Sequence, residues 1–238
     1  MTPRGPIIAL VGADGSGKTT TGSALLSWMR QDRPVEFCHL GKQTGNWGRA
    51  IARLPLMGSR MDRRIVQTTD KARTSGKTRF FPALIIFILS MRRVIRFRRM
   101  LKLNRQGLAI LTDRYPQVVV PGPMDGPGLV FSEENSGVVQ ALACLERGLY
   151  AWMASYRPDL VIRLNVDLQT AIARKPDHRR ASLERKIADV PQIDFGGAPI
   201  LDLDATEPSA TVISKAEAAI ADVLQRHDSQ KLEPSCSC

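Results

Sequence analysis

Cysteine is scarce in this 238-residue chain, and aromatic residues make up only 5% of it. The cysteines, Cys38, Cys144, Cys236 and Cys238, show neither a CxxC pair nor a Cys/His spacing typical of a zinc site. They are too few for a small disulfide-rich secreted domain, so a reducing, cytoplasmic environment is expected. The last residues do not form a prenylation motif, so lipid anchoring is not predicted.

Long apolar runs are also missing. The longest run, residues 80–91, is interrupted by Pro82 and Ser90, whereas a membrane-spanning helix needs about 20 apolar residues. The first run, residues 7–11, is too short for the core of a signal peptide. The sequence therefore predicts no transmembrane segment and no secretory leader.

Acidic residues are scarce in one part of the chain only. The formal net charge is +11, from 34 Lys and Arg against 23 Asp and Glu. Residues 42–105 hold 17 of the basic residues but only Asp62 and Asp70, a local charge of +15, whereas the other 174 residues sum to −4. Because the excess is confined to one segment, it favours a local binding surface for an anion over a chain that is basic throughout.

Short β-branched runs alternate with longer helical patterns, which indicates βαβ units around a buried parallel sheet. Strands are predicted at residues 7–11, 35–39, 108–112, 160–164 and 200–203. Helices are predicted at residues 19–30, 138–156, 168–175 and 210–226, with Asp167 and Ser209 as N-caps. The expected fold is α/β, with three α/β/α layers and a parallel sheet of about five strands.

Three stretches do not fit this alternation. Residues 41–78 are rich in Gly, Arg, Lys, Thr and Ser and are interpreted as short helices and loops. Residues 121–128 have the sequence PGPMDGPG and must form a loop. Residues 230–238 show no periodicity, so a disordered tail is expected there.

A phosphate-binding loop lies between the first predicted strand and the first predicted helix. It matches the pattern GxxxxGK[ST] and consists of Gly12, Ala13, Asp14, Gly15, Ser16, Gly17, Lys18, Thr19 and Thr20. The glycines keep side chains away, so that backbone N–H groups can surround a β-phosphate. Lys18 can then reach the β- and γ-phosphates, and the Thr19 hydroxyl can bind Mg²⁺. A glycine-rich turn that matches by chance is the alternative, which the flanking strand and helix disfavour.

A second candidate site follows the third predicted strand. Four apolar residues in the five positions 108–112 are followed by Asp113, Arg114 and Tyr115. This is the Walker B arrangement, in which a carboxylate lies beside Mg²⁺ or the phosphoryl acceptor, and the adjacent guanidinium can offset transition-state charge. A purely structural Asp-Arg pair is the alternative. The chain has no NKxD element and no LSGGQ-like signature, which argues against a GTPase or a transporter ATPase and leaves a small-molecule kinase.

These motifs resemble those of the thymidylate kinase family of P-loop nucleoside and nucleotide kinases. Three further stretches carry the resemblance, at residues 158–160, 164–174 and 203–206, with Arg179, Arg180 and Glu184 after the second of them. They occur in the family's order over most of the chain. The resemblance implies a three-layer P-loop nucleotide-kinase fold and ATP-dependent phosphoryl transfer to a nucleoside monophosphate such as dTMP.

On the donor side, the resemblance implies a lid at residues 174–186 whose arginines, Arg174 and Arg179, close over ATP. Gly15 stands where some family members have an arginine, so transition-state charge would fall to this lid. Residues 203–206 resemble the stretch beside the adenine. Lys18 and Asp14, with these arginines and the Asp113–Arg114 pair, would make up the catalytic set.

On the acceptor side, Asp14 is expected to face the acceptor's sugar and Arg114 to lie near the transferred phosphoryl group. Arg92 is expected to hold the acceptor monophosphate, counting back from Asp113 through an ungapped helix, and Tyr115 completes the substrate-binding set. The alternative is that Arg92, Arg93 and the arginines that follow form a solvated helix face. Asp125, in the PGPMDGPG loop, is either an acceptor-side carboxylate or a turn residue.

Two family elements for thymine recognition are absent. The second strand exits as CHLGK instead of the family's Arg-Glu-Pro-Gly-Gly, and PQVVV follows Tyr115 instead of a Ser/Ala-Tyr-Gln element. A non-nucleotide acceptor, such as a sugar or glycan intermediate, is therefore the second hypothesis. The third is a regulatory P-loop protein whose basic segment binds nucleic acid.

The expected organisation is a single kinase domain over residues 1–229, with an acceptor-binding insertion at 41–105 and the lid at 174–186. The implied cofactors are ATP and Mg²⁺, and Thr19 and Asp113 are the candidate metal ligands. The implied partner is an anionic small-molecule acceptor; a homodimer is left open, and nucleic acid is disfavoured.

Overall fold

The computed structural model describes residues 4–41, 80–122 and 124–232. Within them one parallel sheet is formed by β1 Ile7–Gly12, β2 Val35–His39, β3 Ala109–Asp113, β4 Leu160–Asn165 and β5 Ile200–Asp204. The strand order is β2-β3-β1-β4-β5, and each pairing is parallel. The predicted five-stranded parallel sheet is confirmed.

Helices flank this sheet in the described chain. They are α1 Lys18–Met29, α2 Phe80–Arg105, α3 Gly137–Ala154, α4 Leu168–Arg174, α5 Arg180–Asp189 and α6 Ser209–Leu232, with a 3₁₀ turn at Val190–Gln192 after α5. Helix α1 contacts α6 and the first three strands, while α2 contacts α3, β2 and β3. The expected α/β fold, consistent with a P-loop NTPase, is confirmed.

Strand β1 lies at the centre because its run of apolar residues can be buried on both faces. Every residue from Ile7 to Gly12 is buried, and β3 and β4 flank the strand on its two sides. In the register, Leu10 pairs with Asp113 and Gly12 pairs with Leu164. The carboxyl ends of β1, β3 and β4 therefore meet at one edge of the sheet. Open α/β sheets bind ligands at such an edge, where successive connections run to opposite sides.

Most predicted boundaries hold within one or two residues, and the differences have local causes. Asp167 is confirmed as an N-cap, since its Oδ1 accepts a hydrogen bond from Thr170 N over 2.9 Å. Helix α6 begins at Ser209 itself, so the expected N-cap at that residue is wrong. The same helix continues through Leu232, so residues 230–232 are helical rather than part of a disordered tail. The predictions for residues 42–78 and 233–238 lie outside the described residues.

The loop at residues 121–128, predicted from its glycines and prolines, is held by buried side chains; we call it the Asp125 loop. Glu146 on α3 is fully buried and accepts hydrogen bonds from Gly128 N over 2.9 Å and Leu129 N over 2.6 Å. Gln117 Nε2 donates to Met124 O over 2.8 Å. A Cβ atom on Gly126 would lie 2.0 Å from Val120 O, so only glycine fits there. The loop is therefore a fixed part of the fold.

Replacing Glu146 with alanine is expected to lower the free energy of unfolding by about 3 kcal/mol, because two buried amide groups lose their acceptor. Ser90 Oγ also donates to this carboxylate. Urea unfolding followed by circular dichroism measures the loss. The exposed Glu133 provides the control: Glu133→Ala is expected to change stability by less than about 0.5 kcal/mol. Equal stabilities for the two variants would contradict the anchoring role.

Candidate functional site

The phosphate loop joins the end of β1 to the start of α1. Gly17, directly before α1, has φ 83°, a conformation that glycine adopts without steric cost. A Cβ atom on Gly12 would lie 2.6 Å from both Leu164 O and Ser16 Oγ, so the turn can close only around glycine. The N-terminus of α1 thus opens directly from the loop, which favours an anion at this place.

Lys18 folds back over the loop. Its Nζ donates to Gly12 O over 2.8 Å and to Ala13 O over 2.6 Å. Burial and the charge of Arg114 lower the pKa of Lys18 to about 8, although the carboxylates of Asp14 and Asp113 oppose the shift. The ammonium group is therefore in a site that stabilises its charge only partly, and a bound polyphosphate would complete its environment.

Asp14, at the tip of the phosphate loop, is contacted from two sides. Its Oδ1 lies 3.5 Å from Arg114 Nη2, and its Oδ2 accepts a hydrogen bond from Lys186 Nζ of α5. His178 Nε2 is 3.8 Å from the same Oδ2. Burial raises the pKa of Asp14, but the hydrogen bond and charge of Lys186 outweigh it, so the net shift is downward. Asp14 thus joins the phosphate loop to residues 174–186, the predicted lid.

Arg114 and Arg93 converge on Asp125. Arg93 Nη2 lies 3.0 Å from Asp125 Oδ1, and its Nη1 donates to Asp125 O over 3.2 Å. Arg114 Nη1 lies 3.7 Å from Asp125 Oδ2. The Arg93 side chain is 0% exposed and that of Asp125 is 9% exposed. Since Arg114 also contacts Asp14, a continuous chain of charges runs from α2 through the Asp125 loop to the phosphate loop.

Asp113, at the end of β3, pairs with the neighbouring strand. Its Oδ2 lies 2.9 Å from Nδ1 of His39, its register partner on β2. Burial raises the pKa of Asp113, but the hydrogen bond from His39 and the charge of Arg114 reverse the shift, and the pKa is lowered. Its other oxygen, Oδ1, is buried and has no hydrogen-bond partner among the residues that the structure describes.

Arg174 closes the other side of the phosphate loop. Its Nη1 donates to Gly15 O over 3.1 Å and to Ala205 O over 3.0 Å, which ties α4 to the loop after β5. An open pocket of about 190 Å³ lies beside these bonds. Its lining includes Ser16, Gly17, Thr20, Arg174, Ala205 and Glu207. The pocket therefore reaches Ala205, within the stretch 203–206 for which the sequence resemblance implies a position beside the adenine.

Comparison with known proteins identifies the family. No protein-family model matches the chain. The "Uncharacterized ATP-binding protein YghS" of Escherichia coli K12 is 42% identical over 219 residues, which cover 90% of this chain and 92% of that protein. The "Uncharacterized ATP-binding protein YghR" of the same strain is 37% identical over 230 residues, which cover 95% of this chain and 91% of that protein. The chain belongs to the YghS/YghR family. Both names describe ATP binding by those proteins, and neither names a reaction or a thymidylate kinase.

In this YghS/YghR family member, the predicted acceptor residues Arg92 and Tyr115 have contrasting surroundings. Arg92 is exposed on α2, whereas its neighbour Arg93 is turned inward to Asp125; the expectation that Arg93 belongs to a solvated face is wrong. Tyr115 is 1% exposed, and its hydroxyl donates to Tyr156 O over 2.5 Å. Tyr115 therefore belongs to the core and not to the cleft.

Three further predicted residues lie at the surface. Thr19 and Thr20 are exposed at the start of α1, and Arg179 is exposed as the residue before α5. Lys186, His39 and Arg93 were not predicted from the sequence to have a functional role. A signal existed for Arg93, since buried positions of α2 recur at spacings of three and four through Ser90, Arg93 and Phe97.

The candidate metal ligands of this family member suit a magnesium ion only if a bound nucleotide supplies further oxygen ligands. In the described part of the chain, no group of three His, Cys, Asp or Glu residues could hold a metal. Mg²⁺ commonly takes one or two protein oxygens and completes its shell with phosphates and water. The buried, unpartnered Oδ1 of Asp113 and the exposed hydroxyl of Thr19 meet that requirement.

Within residues 4–41, 80–122 and 124–232, no helix combines the length and the apolar character that crossing a bilayer requires.

Proposed function

We propose that the protein is an ATP-dependent kinase that transfers the γ-phosphoryl group to a small acceptor. The observation that carries this proposal is the pairing of a phosphate loop, on β1 and α1, with Asp113 and Arg114 at the end of the adjacent strand β3. A binding loop alone needs no second charged site beside it. The ATP-binding names of the two relatives support the donor half of the proposal.

ATP would bind with its base in the 190 Å³ pocket beside Arg174 and its phosphates along Gly12 to Thr19. Lys18 would exchange its bonds to Gly12 O and Ala13 O for bonds to the β- and γ-phosphates. Asp113 and Thr19 would hold Mg²⁺, which supplies charge neutralisation on the phosphates when bound. The helix N-terminus at Lys18 adds a further favourable interaction with the anion.

In the transfer step, an acceptor oxygen forms a bond to the γ-phosphorus while the bond from that phosphorus to the β,γ-bridging oxygen breaks, and ADP leaves with the electron pair. A hydroxyl acceptor releases its proton to water. Lys18 and Arg114 would stabilise the charge on the transferred group. Arg174 and Arg179, in a lid at residues 174–186, would contribute from the nucleotide side. Asp14 and Asp113 would orient the acceptor.

Two acceptor classes are proposed. A nucleoside monophosphate such as dTMP follows from the resemblance to thymidylate kinases. An unphosphorylated hydroxyl compound, such as a sugar or glycan intermediate, is favoured by one observation: Arg93 and Arg114 already have a carboxylate partner in Asp125. A nucleic-acid-binding regulatory protein is the competing class, and it predicts affinity for DNA or RNA that falls steeply with salt.

The experiment that tests the proposal measures ADP release from MgATP with and without a panel of nucleoside monophosphates, nucleosides and sugars. Release that depends on an acceptor supports a kinase. Slow release that no acceptor accelerates, together with salt-dependent binding of DNA or RNA, would support the regulatory protein instead.

The affinity for ATP is expected to depend on pH through Lys18. Below pH about 8 this lysine is already charged in the free protein, so binding takes up no proton there. Above pH about 8 binding must restore the charge, and the affinity falls by up to about tenfold per pH unit. Calorimetric titration with MgATP between pH 7.5 and 9.5 measures the fall. The variant Lys18→Arg stays charged and is expected to give a flat profile; a flat wild-type profile would contradict the prediction.

The contact between Lys186 and Asp14 is expected to help hold the proposed lid over ATP. Both side chains are mostly buried, with 16% and 18% exposed. Loss of an ion pair of this kind costs about 1 kcal/mol, so Lys186→Met is expected to raise KM for ATP by about fivefold. The exposed neighbour Arg185 supplies the control, since Arg185→Met should leave KM unchanged. The same KM in wild type and Lys186→Met would contradict a role for this contact in holding the proposed lid over ATP.

A further inference from the structure

The strongest unassigned feature of the molecule is the buried carboxylate of Asp125, which sits between two arginines at the acceptor end of the site. Asp125 Oδ1 lies 3.0 Å from Arg93 Nη2, and Oδ2 lies 3.7 Å from Arg114 Nη1. Each carboxylate oxygen thus faces a different guanidinium group. Because Arg114 also lies 3.5 Å from Asp14 of the phosphate loop, Asp125 is one side chain away from the place where phosphoryl transfer is proposed.

The backbone of Asp125 is held in this position by its surroundings. Its φ is 66°, a left-handed conformation that non-glycine residues seldom adopt and that the surrounding structure must enforce. The carbonyl oxygen of Asp125 accepts a hydrogen bond from Arg93 Nη1 over 3.2 Å. On the N-terminal side of Asp125, Gln117 Nε2 donates a hydrogen bond to Met124 O. On its C-terminal side, Gly128 N donates one to Glu146. The place of Asp125 at this end of the site is therefore set by the fold.

The cationic groups of Arg93, Arg114 and Lys186 already contact carboxylates before any acceptor binds. Arg93 is paired with Asp125, Arg114 lies between Asp125 and Asp14, and Lys186 is paired with Asp14. A phosphomonoester dianion that reached Arg114 would meet the carboxylates of Asp125 and Asp14. Like charges at such separations repel, and a partly buried site screens the repulsion poorly. A neutral hydroxyl compound carries no such penalty and can donate hydrogen bonds to carboxylate oxygens.

We propose that Asp125 is a specificity-determining residue that selects an unphosphorylated hydroxyl acceptor and excludes a phosphomonoester from the described acceptor end. This inference rests on the proposed kinase function and decides between its two acceptor classes. It also accounts for the inward orientation of Arg93: this side chain balances the charge of Asp125 and is not available to hold an acceptor phosphate.

Binding of extended nucleotides tests the inference without knowledge of the acceptor. The fourth phosphate of adenosine 5′-tetraphosphate occupies the position of an attacking acceptor phosphate. Dissociation constants of ATP and adenosine 5′-tetraphosphate, each with Mg²⁺, are measured for the full-length wild type and for Asp125→Asn. Asparagine keeps the size of the side chain and tolerates the left-handed backbone. Asp32→Asn, at an exposed site beyond the end of α1, is the control.

The wild type and Asp32→Asn are expected to bind the tetraphosphate no more tightly than ATP. Asp125→Asn is expected to favour the tetraphosphate by about tenfold relative to the wild-type ratio. A wild type that binds the tetraphosphate tenfold more tightly than ATP overturns the inference, and this comparison stands even if Asp125→Asn does not fold. The same ratio in wild type and a folded Asp125→Asn also overturns it. Failure of the wild type to bind ATP at all overturns the proposed function itself, and the inference with it.

Discussion

Replacement of Lys18 with alanine is expected to reduce ATP-dependent phosphoryl transfer by about 10³-fold. In the proposed reaction this ammonium group contacts the β- and γ-phosphates, where negative charge is rearranged during transfer, and no other described cation lies within the phosphate loop. The loss should appear in kcat and in ATP affinity together. Initial rates of ADP release, measured at saturating acceptor, give both values.

The folded state of Lys18→Ala is expected to be unaffected, because the hydrogen bonds of Nζ are to carbonyl oxygens of its own loop. Circular dichroism and the midpoint of thermal unfolding check this expectation. The exposed Lys102 on α2 provides the control, since Lys102→Ala should keep full activity. Full activity in a folded Lys18→Ala would show that the phosphate loop does not carry the reaction.

Replacement of Arg93 with methionine is expected to have the largest effect on stability, a loss of about 4 kcal/mol. Methionine fills much of the same volume but leaves the buried carboxylate of Asp125 without its 3.0 Å partner. Breaking a buried ion pair from one side is costly because the remaining charge is not compensated. Chemical denaturation measures the loss, and the exposed Arg99 on the same helix gives a control in Arg99→Met.

A double variant separates charge from packing at this site. If the loss of stability in Arg93→Met comes from the unpaired charge of Asp125, adding Asp125→Asn should recover more than half of the lost free energy of unfolding. Stability losses that simply add in Arg93→Met/Asp125→Asn would indicate that packing of the arginine side chain matters more than its charge. A single Arg93→Met variant within about 1 kcal/mol of wild type would contradict the ion-pair account altogether.

The sequence predicts the sheet well because its strands are local signals. Strand β1 is a run of apolar residues that is buried on both faces, and the other strands of the sheet also begin within one residue of their predicted positions. The observed strands extend one residue further at Gly12, Asp113, Asn165 and Asp204. These residues are polar or small, so an apolar pattern ends before the hydrogen-bonded ladder does.

The two halves of the candidate site differ in how far the sequence predicts them. The phosphate loop and the Asp113–Arg114 pair are contiguous motifs, and the structure brings them together through the pairing of β1 with β3. The contacts of Asp14 with Lys186 and of Asp113 with His39 join residues far apart in the chain. Such contacts depend on how the elements pack, which a single sequence does not specify.

The choice between Arg92 and Arg93 shows the same limit on a smaller scale. Neighbouring residues on a helix point about 100° apart, so a difference of one position in an ungapped count exchanges an exposed side chain for a buried one. The burial of Ser90, Arg93 and Phe97 fixes the orientation of α2. From the sequence, Asp125 is either an acceptor-side carboxylate or a turn residue. Its contact with Arg93 is seen only once α2 is placed, because its glycine- and proline-rich loop has no periodicity from which to infer an orientation.

The central claim, phosphoryl transfer from ATP to a small hydroxyl acceptor, is tested most directly with γ-labelled ATP. Matched pairs of an unphosphorylated compound and its monophosphate, including thymidine and dTMP, are incubated with the wild type and with Lys18→Ala, and the label is followed into the acceptor. We expect label in the unphosphorylated member of at least one pair, in amounts equal to the ADP formed, and none with Lys18→Ala. Label that enters only the monophosphates, or no transfer to any acceptor by a protein that binds ATP, would contradict the account.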